Sequence, residues 1–113
     1  MREISSERIT SEVRRLCIES NRILPEDLEQ RIRAAAETET SPVGKSILAD
    51  LGANMDAARE RDLPICQDTG MAVVFARIGQ EVFLTGMPFE DAVQEGIRRG
   101  YEKGLLRCSI VED

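Results

Sequence analysis

One short segment holds the densest set of chemically useful side chains in the sequence. The heptapeptide PICQDTG, Pro64 to Gly70, places a thiol, an amide, a carboxylate and a hydroxyl in succession at Cys66, Gln67, Asp68 and Thr69. A thiolate can bind a soft metal, a carboxylate can transfer a proton, and an amide can hydrogen-bond a substrate carboxylate. Residue type alone favours a plainer interpretation, in which a small buried cysteine precedes a simple Asp-Thr-Gly turn.

The composition excludes several classes of site and partner. The absence of histidine removes the commonest general base, the commonest metal ligand and every imidazole-dependent triad. Three scattered cysteines fit neither a disulfide framework nor a zinc pattern. A net charge of -6 argues against nucleic acid, and no apolar run could form a membrane span or a signal peptide. We therefore expect a cytoplasmic protein with neither a nucleic-acid nor a membrane partner.

Helical periodicity and helix-start residues predict four helices. The first is expected over Ser5 to Ser20, and others follow Pro25, Ser41-Pro42 and Pro88, since proline suits the first helical turn and serine can cap it. Gly104 is expected to stop the last helix. The predicted buried stripes are Ile9, Val13, Leu16 and Cys17; Leu28, Ile32 and Ala36; Val43, Ile47, Leu51, Met55 and Ala58; and Phe89, Val93, Ile97 and Tyr101.

Three other segments predict strands. Met71 to Ile78 is apolar and β-branched without a helical period, and a turn at Gly79-Gln80 would pair it with Glu81 to Thr85 in a hairpin. Leu105 to Val111 is predicted to be the last strand. The predicted class is α+β, with about four helices packed on a small mixed β-sheet in one helix-rich domain. Because the sequence stops on a strand-like run, we expect residues 1–113 to be a fragment of a longer chain.

Two stretches resemble a known enzyme family. They are DLPICQDTGMAVVFARIGQEVFLTG, Asp62 to Gly86, and AVQEGIRRGYEKGLLRCSIVED, Ala92 to Asp113. Both resemble the iron-sulfur-dependent class I fumarate hydratases and the related L-tartrate dehydratase alpha subunits. The resemblance implies that residues 1–113 are the amino-terminal domain of an alpha subunit. The implied reaction is the reversible hydration of fumarate to L-malate, a step of the tricarboxylic acid cycle.

The resemblance also implies a cofactor and partners. In the family, three thiolates hold a [4Fe-4S] cluster, and Cys66 matches one of them. Cys17 and Cys108 do not match the others and are expected to pack in the interior. The fragment alone is therefore expected to lack the cluster and to be inactive. Its expected partners are the remainder of the alpha subunit and a beta subunit or carboxy-terminal domain.

Three residues are implied to contact substrate. Gln67 and Asp68 would line the pocket, with Asp68 as the catalytic candidate that either orients groups or transfers a proton. Arg107 would bind a substrate carboxylate, a task that suits the bidentate guanidinium. Its alternative is a solvated arginine at a strand end.

Two other functions stay open at this point. One is L-tartrate dehydratase chemistry, and the other is a non-catalytic module that docks partner subunits or another metabolic enzyme. A self-contained metal module is disfavoured, because the sequence has neither histidine nor a close cysteine pair.

Overall fold

The computed structural model describes residues 1–109. The elements in chain order are β1 (Arg2–Ser5), α1 (Ser6–Ser20), α2 (Glu26–Thr38), α3 (Pro42–Arg61), β2 (Val82–Thr85) and α4 (Phe89–Lys103). The predicted helix-rich α+β class is confirmed, with four helices and one small sheet in the described part of the chain. None of these helices is both long and apolar enough to cross a bilayer.

The helix starts marked by proline are confirmed. α2 begins directly after Pro25, α3 begins at Pro42, and α4 begins directly after Pro88. The Ser41 hydroxyl accepts a hydrogen bond from the Gly44 N–H at 3.3 Å, which caps α3 as predicted. These boundaries depend on fixed proline dihedrals and local capping, so the nearby sequence suffices to set them.

Residue contacts group the chain into two compact units. The first unit contains Met1–Glu19 and the described residues from Gln67 onward, and the second contains Ser20–Cys66. The sheet belongs to the first unit and consists of β1 and β2 in parallel, with Ile4 opposite Leu84. The sheet, which was expected to be mixed, is thus a parallel pair joined by a crossover that includes α1.

The core of the first unit lies between α1 and α4. Val13, Cys17 and Leu106 are its buried centre, and Ile9, Val93, Ile97 and Tyr101 pack around them. The most buried face of α4 is nevertheless formed by three small residues, Ala92, Gly96 and Gly100. The buried Thr10 hydroxyl donates to the Ala92 carbonyl oxygen at 2.8 Å, which joins the two helices through a polar contact.

The second unit is built on the pairing of α2 with α3. Glu29 of α2 accepts hydrogen bonds from Arg33 at 3.0 Å and from Arg59 of α3 at 2.7 Å. Only part of the predicted α3 stripe is buried: Met55 and Ala58 are inside. The prediction was wrong for the other three positions, Val43, Ile47 and Leu51, which are exposed. Two helices alone leave a flank of each without a neighbour in this unit.

The predicted strand at Met71–Ile78 was wrong. Within residues 1–109 this segment joins no ladder, and β2 pairs with β1 instead of forming a hairpin. The turn itself is present, since the Val82 N–H donates to the Gly79 carbonyl at 3.1 Å. β-branched residues favour a strand only where another strand offers hydrogen-bond partners, and here that partner is missing among the described residues.

Candidate active-site loop

The first half of the PICQDTG segment is anchored to the second unit. α3 ends at Arg61 and is followed by its capping residue Asp62, whose left-handed backbone (φ 52°) turns the chain away from the helix axis. The Asn54 side-chain amide then donates to the Ile65 carbonyl at 2.7 Å, and the Ile65 N–H donates to the Asn21 carbonyl at 2.8 Å. The main chain immediately before Cys66 is therefore held on both sides. The Cys66 thiol itself is exposed.

The second half of the segment belongs to the first unit. Asp68 Oδ1 accepts a hydrogen bond from the Gly70 N–H at 2.9 Å, which closes a turn between residues two apart. Gly70 has a φ of 60°, a conformation that glycine adopts without steric cost. Gln67 and Asp68 are both exposed. Their amide and carboxylate groups are thus accessible on a loop with a defined shape.

Thr69 links this loop to a distant part of the chain. Its hydroxyl donates to the Arg107 carbonyl oxygen at 3.1 Å and accepts from the Arg107 N–H at 2.9 Å. The threonine is buried, with 8% of its surface exposed. The sequence indicated Thr69 only as part of an Asp-Thr-Gly turn. The residue type gave a signal, because a loop hydroxyl seeks a main-chain partner, but the identity of that partner was not readable.

Arg107 is placed by the end of α4. Leu105 has a left-handed backbone (φ 57°), and the Leu106 N–H donates back to the Tyr101 carbonyl at 2.9 Å. These are the features of a Schellman helix end, which here follows Gly104 as the predicted stop. The turn sends Leu106 into the core and leaves Arg107 exposed.

The strand predicted from Leu105 to Val111 is therefore absent over residues 105–109, where the chain turns back on α4. The rest of that prediction, Ile110 and Val111, lies outside the described residues.

The cysteines differ in their surroundings. Cys17 lies in the core, where burial raises the pKa of its thiol, in keeping with its expected packing role. Cys108 was also expected to pack, but it is exposed.

The described residues lack a complete set of ligands for an iron-sulfur cluster. No group of three cysteine, histidine or acidic side chains close enough to hold a metal exists within residues 1–109. The described residues could therefore hold a cluster only together with ligands from elsewhere, and the exposed Cys66 could offer one thiolate.

Other charges on α4 form a surface network. Arg98 bonds to Glu95 at 2.6 Å and to Glu102 at 2.9 Å, and Arg99 bonds to Glu7 at 2.8 Å. These arginines are ion-paired on the helix surface. Hydrogen bonds from Arg98 and then Arg99 lower the pKa of Glu95 to about 2.

Known proteins align with most of the length of this chain. A Methanocaldococcus jannaschii protein with the provisional name L(+)-tartrate dehydratase subunit alpha is 33% identical over 89 residues, which cover 78% of this chain and 31% of that protein. The L(+)-tartrate dehydratase alpha subunits of Escherichia coli K12 and Shigella boydii serotype 4 are each 29% identical over 89 residues, or 79% of this chain and 29% of theirs. The chain spans less than a third of these relatives. The profile of the family described as fumarate hydratase (Fumerase) matches residues 10–113, and the chain therefore belongs to that family.

Proposed function

We propose that this chain is the amino-terminal part of the alpha subunit of an iron-sulfur hydro-lyase that reversibly hydrates fumarate to L-malate. Membership of the fumarate hydratase family supports this reaction type. The observation that carries the proposal is the pair of hydrogen bonds between Thr69 and Arg107, at 2.9 and 3.1 Å. They join the loop that carries Gln67 and Asp68 to the segment that carries Arg107, so acid-base and carboxylate-binding groups come from connected parts of one unit.

Cys66 is the residue that would bind the cofactor. Its exposed thiol would provide one ligand of a [4Fe-4S] cluster, and the other ligands would come from residues beyond those described. When bound, such a cluster supplies a Lewis-acidic iron for a substrate oxygen. The hydration needs no net oxidation or reduction, which agrees with that use of iron.

The remaining chemistry falls to polar side chains of this chain. In the dehydration of L-malate, a proton leaves the carbon beside one carboxylate, and the electrons of that C–H bond form the double bond. The C–O bond of the neighbouring carbon breaks, and its electron pair leaves with the hydroxide. Arg107 would hold a substrate carboxylate through two parallel hydrogen bonds, Gln67 would donate to a carboxylate oxygen, and Asp68 would orient these groups or move the proton.

L-tartrate is the second candidate substrate. The relatives named above are described as L(+)-tartrate dehydratase alpha subunits, and this favours the alternative. L-tartrate has one hydroxyl more than L-malate and loses water by the same bond changes. Turnover of both substrates under the same conditions by the complete enzyme distinguishes the two reactions.

A docking role is favoured by a separate observation. The segment Met71–Ile78 is mostly apolar and belongs to neither a helix nor a strand, and Phe75 is 95% exposed. An unpaired apolar segment of this kind can add to a sheet edge of another part of a protein. We propose that it docks the remainder of the alpha subunit, because the relatives are more than three times as long as the region they share with this chain. A beta subunit or another metabolic enzyme would be the alternative occupant.

Docking can be measured with the remainder of the alpha subunit expressed as a separate chain. Phe75→Glu in this chain should abolish co-purification of the remainder of the alpha subunit. Val43→Glu is the control, since Val43 lies in the other unit and is 68% exposed, and it should leave co-purification unchanged. Co-purification that survives Phe75→Glu would refute this docking segment. Binding of a beta subunit alone would assign the segment to a different partner and would also refute the proposal.

The enzymatic proposal is tested on the complete enzyme, reconstituted anaerobically with iron and sulfide. We expect a visible cluster absorption band together with hydration of fumarate. A protein that has the band but turns over only L-tartrate would establish the alternative substrate. A folded enzyme with neither the band nor either activity would contradict the proposal.

A further inference from the structure

We infer that Thr69 is a positioning residue that fixes Arg107 relative to the loop carrying Gln67 and Asp68. This inference rests on the proposed function, because it concerns how the substrate-binding arginine is held. Thr69 itself need not touch substrate. Its hydroxyl acts on the main chain of Arg107, at 2.9 Å from the nitrogen and 3.1 Å from the carbonyl oxygen.

The hydroxyl uses both of its hydrogen-bonding capacities on one residue. It donates to the Arg107 carbonyl and accepts from the Arg107 N–H, a combination that only a hydroxyl or a similar dual group can provide. A simple Asp-Thr-Gly turn would require only the bond from the Gly70 N–H to Asp68. The two bonds to a residue 38 positions away therefore serve a purpose beyond closing the turn.

The two segments that Thr69 joins are also anchored separately. On one side, the bond between Asp68 and Gly70 fixes the loop. On the other, Leu106 is buried and its N–H is bonded to α4 at the Tyr101 carbonyl. Because each anchor lies one residue from the Thr69–Arg107 contact, the hydroxyl sets the spacing between two short, already ordered pieces of chain.

Burial makes this contact sensitive to substitution. Thr69 is 8% exposed, so water has little access to replace a lost hydroxyl. Valine has the same shape but cannot bond to Arg107, whereas serine keeps the hydroxyl and loses only a methyl group. A displacement of about 1 Å in a group that binds substrate can change a rate by about 100-fold, so a shifted Arg107 main chain should be visible in the kinetics.

The test uses the complete enzyme and the substrate it turns over best. Thr69→Val should raise KM by about 10-fold or more with a smaller change in kcat, since Arg107 holds a substrate carboxylate. Thr69→Ser should stay within about threefold of the unaltered enzyme in both constants. If Thr69→Val does not fold, Thr69→Ala is measured against Thr69→Ser in the same way.

Repeating the Thr69→Val substitution in an Arg107→Lys enzyme distinguishes a positioning role from a general loss of stability. In the Arg107→Lys variant, the flexible ammonium makes a single-point contact that tolerates a displaced main chain. Adding Thr69→Val to that variant should therefore raise KM by less than about threefold. Equal losses from Thr69→Val in the unaltered enzyme and in the Arg107→Lys variant would overturn the inference, as would serine and valine variants with the same kinetics. An unaltered enzyme that is inactive on both fumarate and tartrate would instead defeat the proposed function, and the inference with it.

Discussion

Gly96 lies so close to Val13 that a β-carbon added to the glycine would come within 2.7 Å of the Val13 β-carbon. One turn further along α4, a β-carbon on Gly100 would lie 2.8 Å from the Cys17 β-carbon. Both distances are shorter than real carbon atoms allow. The close approach of α4 to α1 therefore requires glycine at these two positions. The segment that contains Arg107 follows directly after α4.

Gly96→Ala should destabilise the protein by about 1–3 kcal/mol, because the helices must separate to admit the methyl group. Gly52→Ala is the matched control, since the nearest atom to its added β-carbon is Arg33 Nη1 at 3.5 Å. That change should stabilise by about 0.5–1 kcal/mol through higher helix propensity. Urea unfolding followed by circular dichroism measures both. Equal stability of the two variants would argue against tight packing of α1 on α4.

Replacement of Leu105 should reveal backbone strain at the end of α4. Leu105 has a φ of 57° and is 80% exposed, so its side chain loses little packing on removal. Leu105→Gly should stabilise by about 1 kcal/mol, because a left-handed residue with a β-carbon is strained by about that amount. Leu105→Ala keeps the β-carbon and should gain far less. Thermal unfolding measures the stability of both variants. If Leu105→Ala stabilises the protein as much as Leu105→Gly, Leu105 is not strained.

Glu95 should make the stability depend on pH in the acid range. Hydrogen bonds from Arg98 and Arg99 lower its pKa from 4.5 to about 2 in the folded protein. A lowered carboxyl pKa adds stability that is fully present above about pH 4.5 and is lost as the pH falls towards 2. The Glu95→Gln variant should therefore be less stable than the unaltered protein at neutral pH. This difference in stability should disappear as the pH falls from about 4.5 towards 2.

The Glu95 measurement is urea unfolding at a series of pH values. Because exposed ion pairs are screened by salt, about 1 M sodium chloride should narrow the difference at neutral pH. A stability difference that stays constant from neutral pH down to about pH 2.5 would contradict the lowered pKa of Glu95.

Local signals explain which parts of the fold were predictable. Pro25, Ser41 and Pro88 act through their own dihedrals and caps, so the helix starts were readable from a few residues. The four-residue strand β1, Arg2–Ser5, was missed because it is short and polar and its partner, β2, lies far along the chain. Met71–Ile78 showed the opposite error, since its apolar β-branched residues indicated a strand that has no partner within residues 1–109.

The packing face of α4 was also read incompletely. The large apolar residues on this helix suggested that they form its contact surface, and they do pack around the core. The closest approach to α1, however, occurs at Gly96 and Gly100, whose lack of a side chain gives no hydrophobic signal.

The candidate site shows the same limit. The family resemblance singled out Cys66, Gln67 and Asp68, whereas the contact between Thr69 and Arg107 depends on tertiary structure.

The most direct test of the account concerns Cys66 in the complete enzyme. After anaerobic reconstitution with iron and sulfide, Cys66→Ser should lose the cluster absorption band and the hydration of fumarate or dehydration of tartrate, because the proposed thiolate ligand is gone. Cys108→Ser, which alters the other exposed thiol, should keep the band. A Cys66→Ser enzyme with full cluster absorption and full activity would contradict the proposal that Cys66 binds the cluster of an iron-sulfur hydro-lyase.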